Sequence, residues 1–199
     1  MALKEGGLRG SLRSVGGIPA GLVEDWSRSQ PLNDYEGDVS DYTIISNGAF
    51  QGDNYATTDS FARIDSSNRP NIPSQGDVFS CRVRRPSSGE GLGGFCWGTQ
   101  GFDTDVSGYE LIIFNQDFIL RRIDSGSVTT IATETTSIPE NEWLKMITDW
   151  GVDGEITCTL LNEDLDEISS ISTTDDTYTS GGAGWVVNEA DVDFYKIEG

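Results

Sequence analysis

The chain has 199 residues, with 33 Asp and Glu against 13 Lys and Arg, no His, and a formal net charge of -20. That charge argues against a nucleic-acid partner, because phosphates are held by a basic footprint. No apolar run approaches the ~20 residues of a membrane-spanning helix. The length suits one all-β domain plus an arm: glycines number 24, Thr, Ser, Val and Ile recur in short runs, and no long stretch shows helical spacing.

The first 23 residues stand apart. Lys4, Arg9 and Arg13 against Glu5 give +2, so the rest of the chain carries -22 of the total of -20. Leu3, Leu8, Leu12, Val15 and Ile18 are interspersed with glycines too frequent for a helix and without hairpin spacing. The expectation is an extended cationic arm over residues 1–24 that orders on a partner, followed by a single domain over 25–199. The opening Met-Ala-Leu-Lys-Glu-Gly-Gly lacks the apolar core of a signal peptide, so synthesis in the cytoplasm is expected.

Short strands then follow one another. Tyr42–Ser46, a short strand within 49–56, and Ser60–Ile64 precede a connection, Asn68-Arg-Pro-Asn-Ile-Pro73, whose prolines do not suit a central strand. DVFSCRVR from Asp77 alternates Phe79, Cys81 and Val83 with Ser80, Arg82 and Arg84. GFCWGTQ from Gly94 carries small residues on one side, a sign that a backbone or ligand comes close. Gly108–Phe114, Phe118–Ile123 and Ser127–Ala132 form a meander across Asn115-Gln-Asp117 and Asp124-Ser-Gly126. In WLKMITDWGVDGEITCTLL from Trp143, two alternating runs flank Gly151-Val-Asp-Gly154, which predicts a hairpin reversing at Asp153-Gly154. A charged turn, Glu163 to Asp166, leads to Ile168–Ser172, and Gly184–Asn188 and Asp193–Ile197 close the chain. About a dozen strands with turns every 8–12 residues make a sandwich or barrel.

Cys81, Cys96 and Cys158 are odd in number and irregular in spacing, which gives neither a disulfide framework nor a metal signature. Cys81 and Cys158 lie on the apolar sides of their strands and are expected to act as small buried hydrophobes. The sequence leaves any pairing among the three open.

Taken together, Tyr35-Glu-Gly-Asp38, Phe50-Gln-Gly-Asp53, DVFSCRVR, GFCWGTQ, GYELIIF, FILRRI, the hairpin from Trp143, GGAGW and DFYKI resemble the concanavalin A-like lectin/glucanase superfamily, in particular its LamG-like members. The resemblance covers roughly Asp25 to Gly199. It implies an all-β, two-sheet antiparallel jelly-roll sandwich with an extended N-terminal arm. First and last strands would pair, bringing Trp26–Asp41 close to Asp193–Ile197. Calcium often accompanies LamG-like domains, and Asp53, Asp103, Asp105 and Asp193 are the residues that such a site would draw on. Acidic, lysine-poor versions of the domain are similar to surface proteins of haloarchaea and their tailed viruses.

Glucanases of this superfamily place carboxylates as Glu-x-Asp-x-x-Glu along one strand, so that alternate side chains enter one cleft. That spacing is absent here: Glu163-Asp164-Leu165-Asp166-Glu167 reads as a turn, and Glu110 stands alone in its strand. With no His and no serine nucleophile elbow, the expectation is a binder and not an enzyme. Sugars are held by aromatic rings and planar polar groups, for which Trp97, Tyr109, Trp150, Tyr178 and Trp185, with Gln100, Asn115 and Arg121, are the candidates, set against core packing for most of the aromatics. Trp143 is assigned to packing beside Leu144.

So large a self-repulsion is tolerable where salt screens it, at a Debye length of ~3 Å near molar salt. Only three of the basic residues are lysines, Lys4, Lys145 and Lys196. The combination leads to a virion surface protein of a halophilic virus, of turret, spike or fibre type. It would assemble as a homo-oligomer and dock on other virion proteins through the arm, its domain turned to host glycans. The alternative is a cell-surface or secreted glycan-binding module; a β-glycan hydrolase ranks last.

Overall fold

The computed structural model describes residues 22–24, 36–37, 40, 42–44, 50–54, 60–64, 72–84, 92–101, 106–188 and 190–198. Among them, in chain order, run β1 (Leu22–Glu24), β2 (Glu36–Gly37), β3 (Tyr42–Ile44), β4 (Phe50–Asn54), β5 (Ser60–Ile64), β6 (Val78–Arg84), β7 (Leu92–Gln100) and β8 (Ser107–Phe114). They continue with β9 (Asp117–Asp124), β10 (Ser127–Thr135), β11 (Leu144–Trp150), β12 (Glu155–Leu161), β13 (Glu167–Thr174), β14 (Gly182–Asn188) and β15 (Ala190–Glu198). All pair antiparallel into two sheets. One has the order β13-β12-β11-β6-β15-β4-β3, with β1 also on β15; the other has the order β10-β9-β8-β7-β14-β5-β2. This is a sandwich, one of the two architectures that the strand pattern allowed, and the two-sheet antiparallel jelly roll that the resemblance implied.

The hairpin from Trp143 forms as its residues dictate. Gly151 N–H donates to the Glu155 carbonyl at 2.7 Å, and Gly154 sits at φ 82°, a left-handed conformation that costs glycine little. Leu144, Met146, Thr148 and Trp150 of β11 and Ile156, Cys158 and Leu160 of β12 are buried, while the intervening side chains are not. Across the core they meet Phe95, Trp97, Tyr109, Leu111, Ile113, Phe118, Leu120, Trp185 and Val187 of the second sheet. Each such side chain contributes roughly 1.5–3 kcal/mol on burial, so this shared face holds the two sheets together.

β8 departs from simple alternation, since all six central residues are buried. Ile112 belongs to a second apolar cluster with Ile119 and Val186, packed by Phe114 and separate from the main core. Gly94 explains the small-residue side of β7. A Cβ there would lie 2.0 Å from the Leu111 carbonyl oxygen, so it is a backbone that comes close.

Two expectations are corrected. Strand pairing to the end of the chain falls on Leu22–Glu24, against Ile197 and Glu198, three residues that the sequence assigned to the arm. Most of Trp26–Asp41 lies outside the described residues, as do Leu3, Lys4, Leu8, Arg9, Leu12, Arg13, Val15 and Ile18. Trp143 is not a core residue: its neighbour Leu144 takes the inward position, and the Trp143 ring, half-buried, carries the Arg84 guanidinium 5.0 Å from its centre. The cysteines are all free and buried, Cys81 and Cys158 within the main core as expected. Burial pushes the Cys158 thiol up to about 12, so it stays a neutral packing group, 3.8 Å from Thr148 Oγ1.

Candidate functional site

One end of the sandwich gathers the ends of β7, β9, β11 and β13 and the beginnings of β8, β12 and β14. The connection from Asp175 to Gly181 folds over this end. It is pinned by Asp175 N–H to the Gly154 carbonyl at 2.8 Å and by Gln75 N–H to the Thr179 carbonyl at 2.9 Å. Gly154 thus serves twice, as the hairpin turn and as the acceptor that anchors the next connection.

Cross-strand register brings Tyr109 of β8 opposite both Trp97 of β7 and Arg122 of β9, so the three share the inward face. Tyr109 Oη donates to Asp175 Oδ1 at 2.7 Å and accepts from Tyr178 N–H at 3.2 Å. Arg122 Nη1 donates to Asp175 Oδ2 at 2.6 Å, and its Nε donates to Asp124 Oδ2 at 2.9 Å. Tyr178 Oη donates to Asp124 Oδ1 at 2.8 Å, closing a ring of four side chains around one guanidinium. Thr177 adds its N–H to Asp175 Oδ1 at 3.0 Å.

Exposure grades across this cluster. The Asp175 side chain is 9% exposed, that of Arg122 29% and that of Asp124 42%. Asp175 is therefore an internal brace, while Asp124, Arg122 and the half-buried Tyr178 reach solvent. Beneath them the rings form a chain: Tyr178 to Tyr109 at 5.6 Å, Tyr109 to Trp150 at 6.0 Å, Trp97 to Trp150 at 6.4 Å, then through Phe95 to Trp185. The offset and edge-on geometries are those that aromatic quadrupoles favour.

The electrostatics follow from the pairing. The Tyr178 hydroxyl and then the Arg122 guanidinium hold Asp124 below the ordinary carboxylate range. Burial opposes ionisation of Asp175, but hydrogen bonds from Thr177, Tyr109 and Arg122 outweigh it, and its carboxyl also lies low. Burial, followed by the Asp175 carboxylate, pushes the Tyr109 phenol well above its usual value. Both carboxylates are thus ionised and engaged, an arrangement suited to recognition by hydrogen bonds; an acid catalyst needs a carboxyl raised toward neutrality.

The residues singled out from sequence divide sharply. Trp97, Tyr109, Trp150 and Trp185 are fully buried, so they are core and offer no ring to a sugar. Their apolar bulk is worth more between the sheets than at the surface. Arg121 lies on the opposite face of β9, its Nη1 3.7 Å from Oε2 of the buried Glu110. Asn115 is exposed at the β8–β9 turn with φ 55°, at the other end of the sandwich. Gln100 is exposed at the cluster's end, and Tyr178 is in the cluster itself. Arg122, Asp124 and Asp175 were missed. Arg122-x-Asp124 on one strand face is a signal that alternation alone offers, but Asp175 is 53 positions away from Arg122.

Of the acidic residues proposed for calcium, Asp103 and Asp105 lie outside the described residues. Asp193 is the strand-register partner of Gln51 and Arg84, and Asp53 that of Asp191, at one end of the eight-stranded sheet. No group of three metal-ligating side chains occurs among the described residues.

No family model and no curated protein matches the sequence. Solved structures share the fold. A carbohydrate-binding module, CBM66, from Bacillus subtilis superposes with a TM-score of 0.66 over 83% of this chain and 96% of that one, at 16% identity. The exoplasmic/lumenal domain of VIP36, in a form bound to Ca2+ and Man3GlcNAc, gives 0.59 over 86% and 84%, at 11% identity. A GH43 protein, BlXynB, from Bacillus licheniformis gives 0.58 at 13% identity over 88% of this chain, but over 37% of that one. The shared fold is therefore the two-sheet antiparallel jelly roll, a conclusion about architecture at these identities.

Proposed function

We propose that this protein is a non-enzymatic, lectin-like surface module that takes up glycan at the end of the sandwich built by Arg122, Asp124 and Tyr178, beside Gln100. The observation that carries this reading is the cluster's graded exposure: a solvent-reaching aromatic hydroxyl, carboxylate and guanidinium are locked together over a rigid aromatic base. A pre-ordered donor and acceptor set avoids the entropy of arranging side chains when a ligand arrives. The fold shared with proteins whose names specify carbohydrate binding is consistent with it. Glycan-array binding by the full chain, lost in Tyr178→Ala and Asp124→Ala and retained in an Asn115→Ala control at the other end, is the expected result. Binding unchanged in both end-cluster variants overturns the site.

As to setting, the proposal is a virion surface protein of turret, spike or fibre type in a halophilic virus, made in the host cytoplasm and assembling as a homo-oligomer. Its support is the charge of -20, the scarcity of lysine and the cationic, leucine-bearing segment before β1. Deletion of residues 1–21 should abolish assembly with partner virion proteins while leaving the far-ultraviolet β-sheet spectrum unchanged; retained assembly refutes the docking role. A second reading, a cell-surface or secreted glycan-binding module, is favoured by the match to an isolated carbohydrate-binding module over nearly its whole length. Binding to intact host cells by a deletion of 1–21 that no longer assembles would fit that reading.

A further inference from the structure

We propose that the end cluster discriminates by charge, taking neutral polyhydroxyl sugars and rejecting uronic acids and other anionic glycans. The inference rests on the glycan reading above and deepens it.

The argument begins with the guanidinium. Arginine recognises a carboxylate by presenting two parallel N–H groups to its two oxygens. In this cluster Nε is given to Asp124 at 2.9 Å and Nη1 to Asp175 at 2.6 Å. One positive charge is matched by two negative ones, and both carboxylates are held ionised by the bonds they accept. An incoming carboxylate meets a site that is already negative by one, with Asp124 the more exposed of the two anions. Like charges brought together as solvent is displaced are strongly unfavourable, and this is a means of excluding the wrong partner.

The same geometry suits a neutral diol. Each oxygen of Asp124 accepts one bond here, from Tyr178 Oη and from Arg122 Nε, and a carboxylate oxygen has a second lone pair to offer. Arg122 Nη2 takes part in neither of the carboxylate bonds, and the guanidinium is partly open to solvent. An acceptor and a donor thus stand side by side at the surface. Adjacent sugar hydroxyls can satisfy both, one donating to Asp124 and its neighbour accepting from Arg122. The Tyr178 ring, packed edge-on against Tyr109, supplies an apolar flank for a sugar face.

A matched array tests this: oligomers of mannose, glucose and galactose against polymannuronate, polyglucuronate and polygalacturonate, which differ in a carboxylate at C6. It is run in molar KCl, where a Debye length of ~3 Å removes long-range repulsion by the net charge and leaves the local contact. The full chain is expected to hold a neutral oligomer at least about tenfold more tightly than its uronate partner. Asp124→Asn, isosteric and at a solvent-reaching position, is expected to narrow that gap to within about threefold, whereas Tyr178→Phe, which keeps both charges, preserves it. Uronates bound as tightly as neutral oligomers by the full chain, or a gap unchanged by Asp124→Asn, overturn the inference while the glycan reading stands. Binding of neither class overturns both.

Discussion

Arg122 Nη1 lies 2.6 Å from Asp175 Oδ2, tying the end of β9 to the connection that leaves β13. Because the side chain of Asp175 is 9% exposed and that of Arg122 29%, the pair is a part-buried tie and not a surface ornament. Removing the cation strands a carboxylate that still accepts from Tyr109 and Thr177. Arg122→Ala is therefore expected to cost about 2 kcal/mol, the range for charged hydrogen bonds, with Arg122 itself partly solvated. Urea denaturation checks this; a change below about 0.5 kcal/mol would show the tie to be dispensable.

Acid should loosen the same region. Asp124 and Asp175 both have folded pKa values below their unfolded ones. Their contribution is fully present above the unfolded value of about 3.9 and is lost as pH falls through the lower folded values. Neutralisation of the other carboxylates changes total charge over the same window, so the informative quantity is the difference from Asp175→Asn. The stability gap between the two chains is expected to shrink as pH falls from 5 toward 2. A constant gap would contradict the ionic role of Asp175.

Gly94→Ala is expected to be among the most damaging single-methyl changes in the chain. The new Cβ would meet the Leu111 carbonyl oxygen at 2.0 Å and Ile112 Cα at 2.8 Å, and neither backbone atom can rotate away. A cost at or above the upper end of the usual 1–3 kcal/mol for overpacking should appear as a lowered Tm or insoluble protein. Wild-type stability in this variant would mean that β7 and β8 can part without loss.

Trp97 separates packing from recognition. Trp97→Ala should cost about 3–5 kcal/mol, the range for large aromatic truncations. Trp97→Phe should cost less than the alanine change, because the buried Nε1 has no hydrogen-bond partner among the described residues and phenylalanine removes that orphan. Glycan binding per folded molecule is expected to be unchanged in Trp97→Phe, measured by titration against the neutral oligomers.

Salt should stabilise. With -20 on 199 residues, raising KCl from low to molar concentration is expected to lift Tm, since screening relieves self-repulsion. A flat or falling Tm would count against a high-salt habitat.

The strand order was largely legible because alternation and turn chemistry are local. Ser60–Ile64 matches β5 residue for residue, and the Asp153-Gly154 turn, the β8–β10 meander and the inward Cys81 and Cys158 follow from period-two patterning. β2 was not visible, since two residues carry no periodicity; Glu36 and Gly37 are strand because Arg63 and Ala62 lie opposite them. The burial of both faces of β8 was not legible either, for Ile112 and Ile113 are adjacent and both buried, on opposite faces.

What the sequence determined by itself is the kind of object this is: an acidic, all-β chain whose apolar residues alternate every second position and so require two facing sheets. What tertiary structure alone decided is which aromatic and charged side chains meet solvent. Trp97 and Tyr178 look equally suited to a sugar on paper, yet one lies between the sheets and the other at their end. The partnership of Arg122 with Asp175 exists only because the connection after β13 folds back over β8 and β9, where burial makes each charge depend on the other.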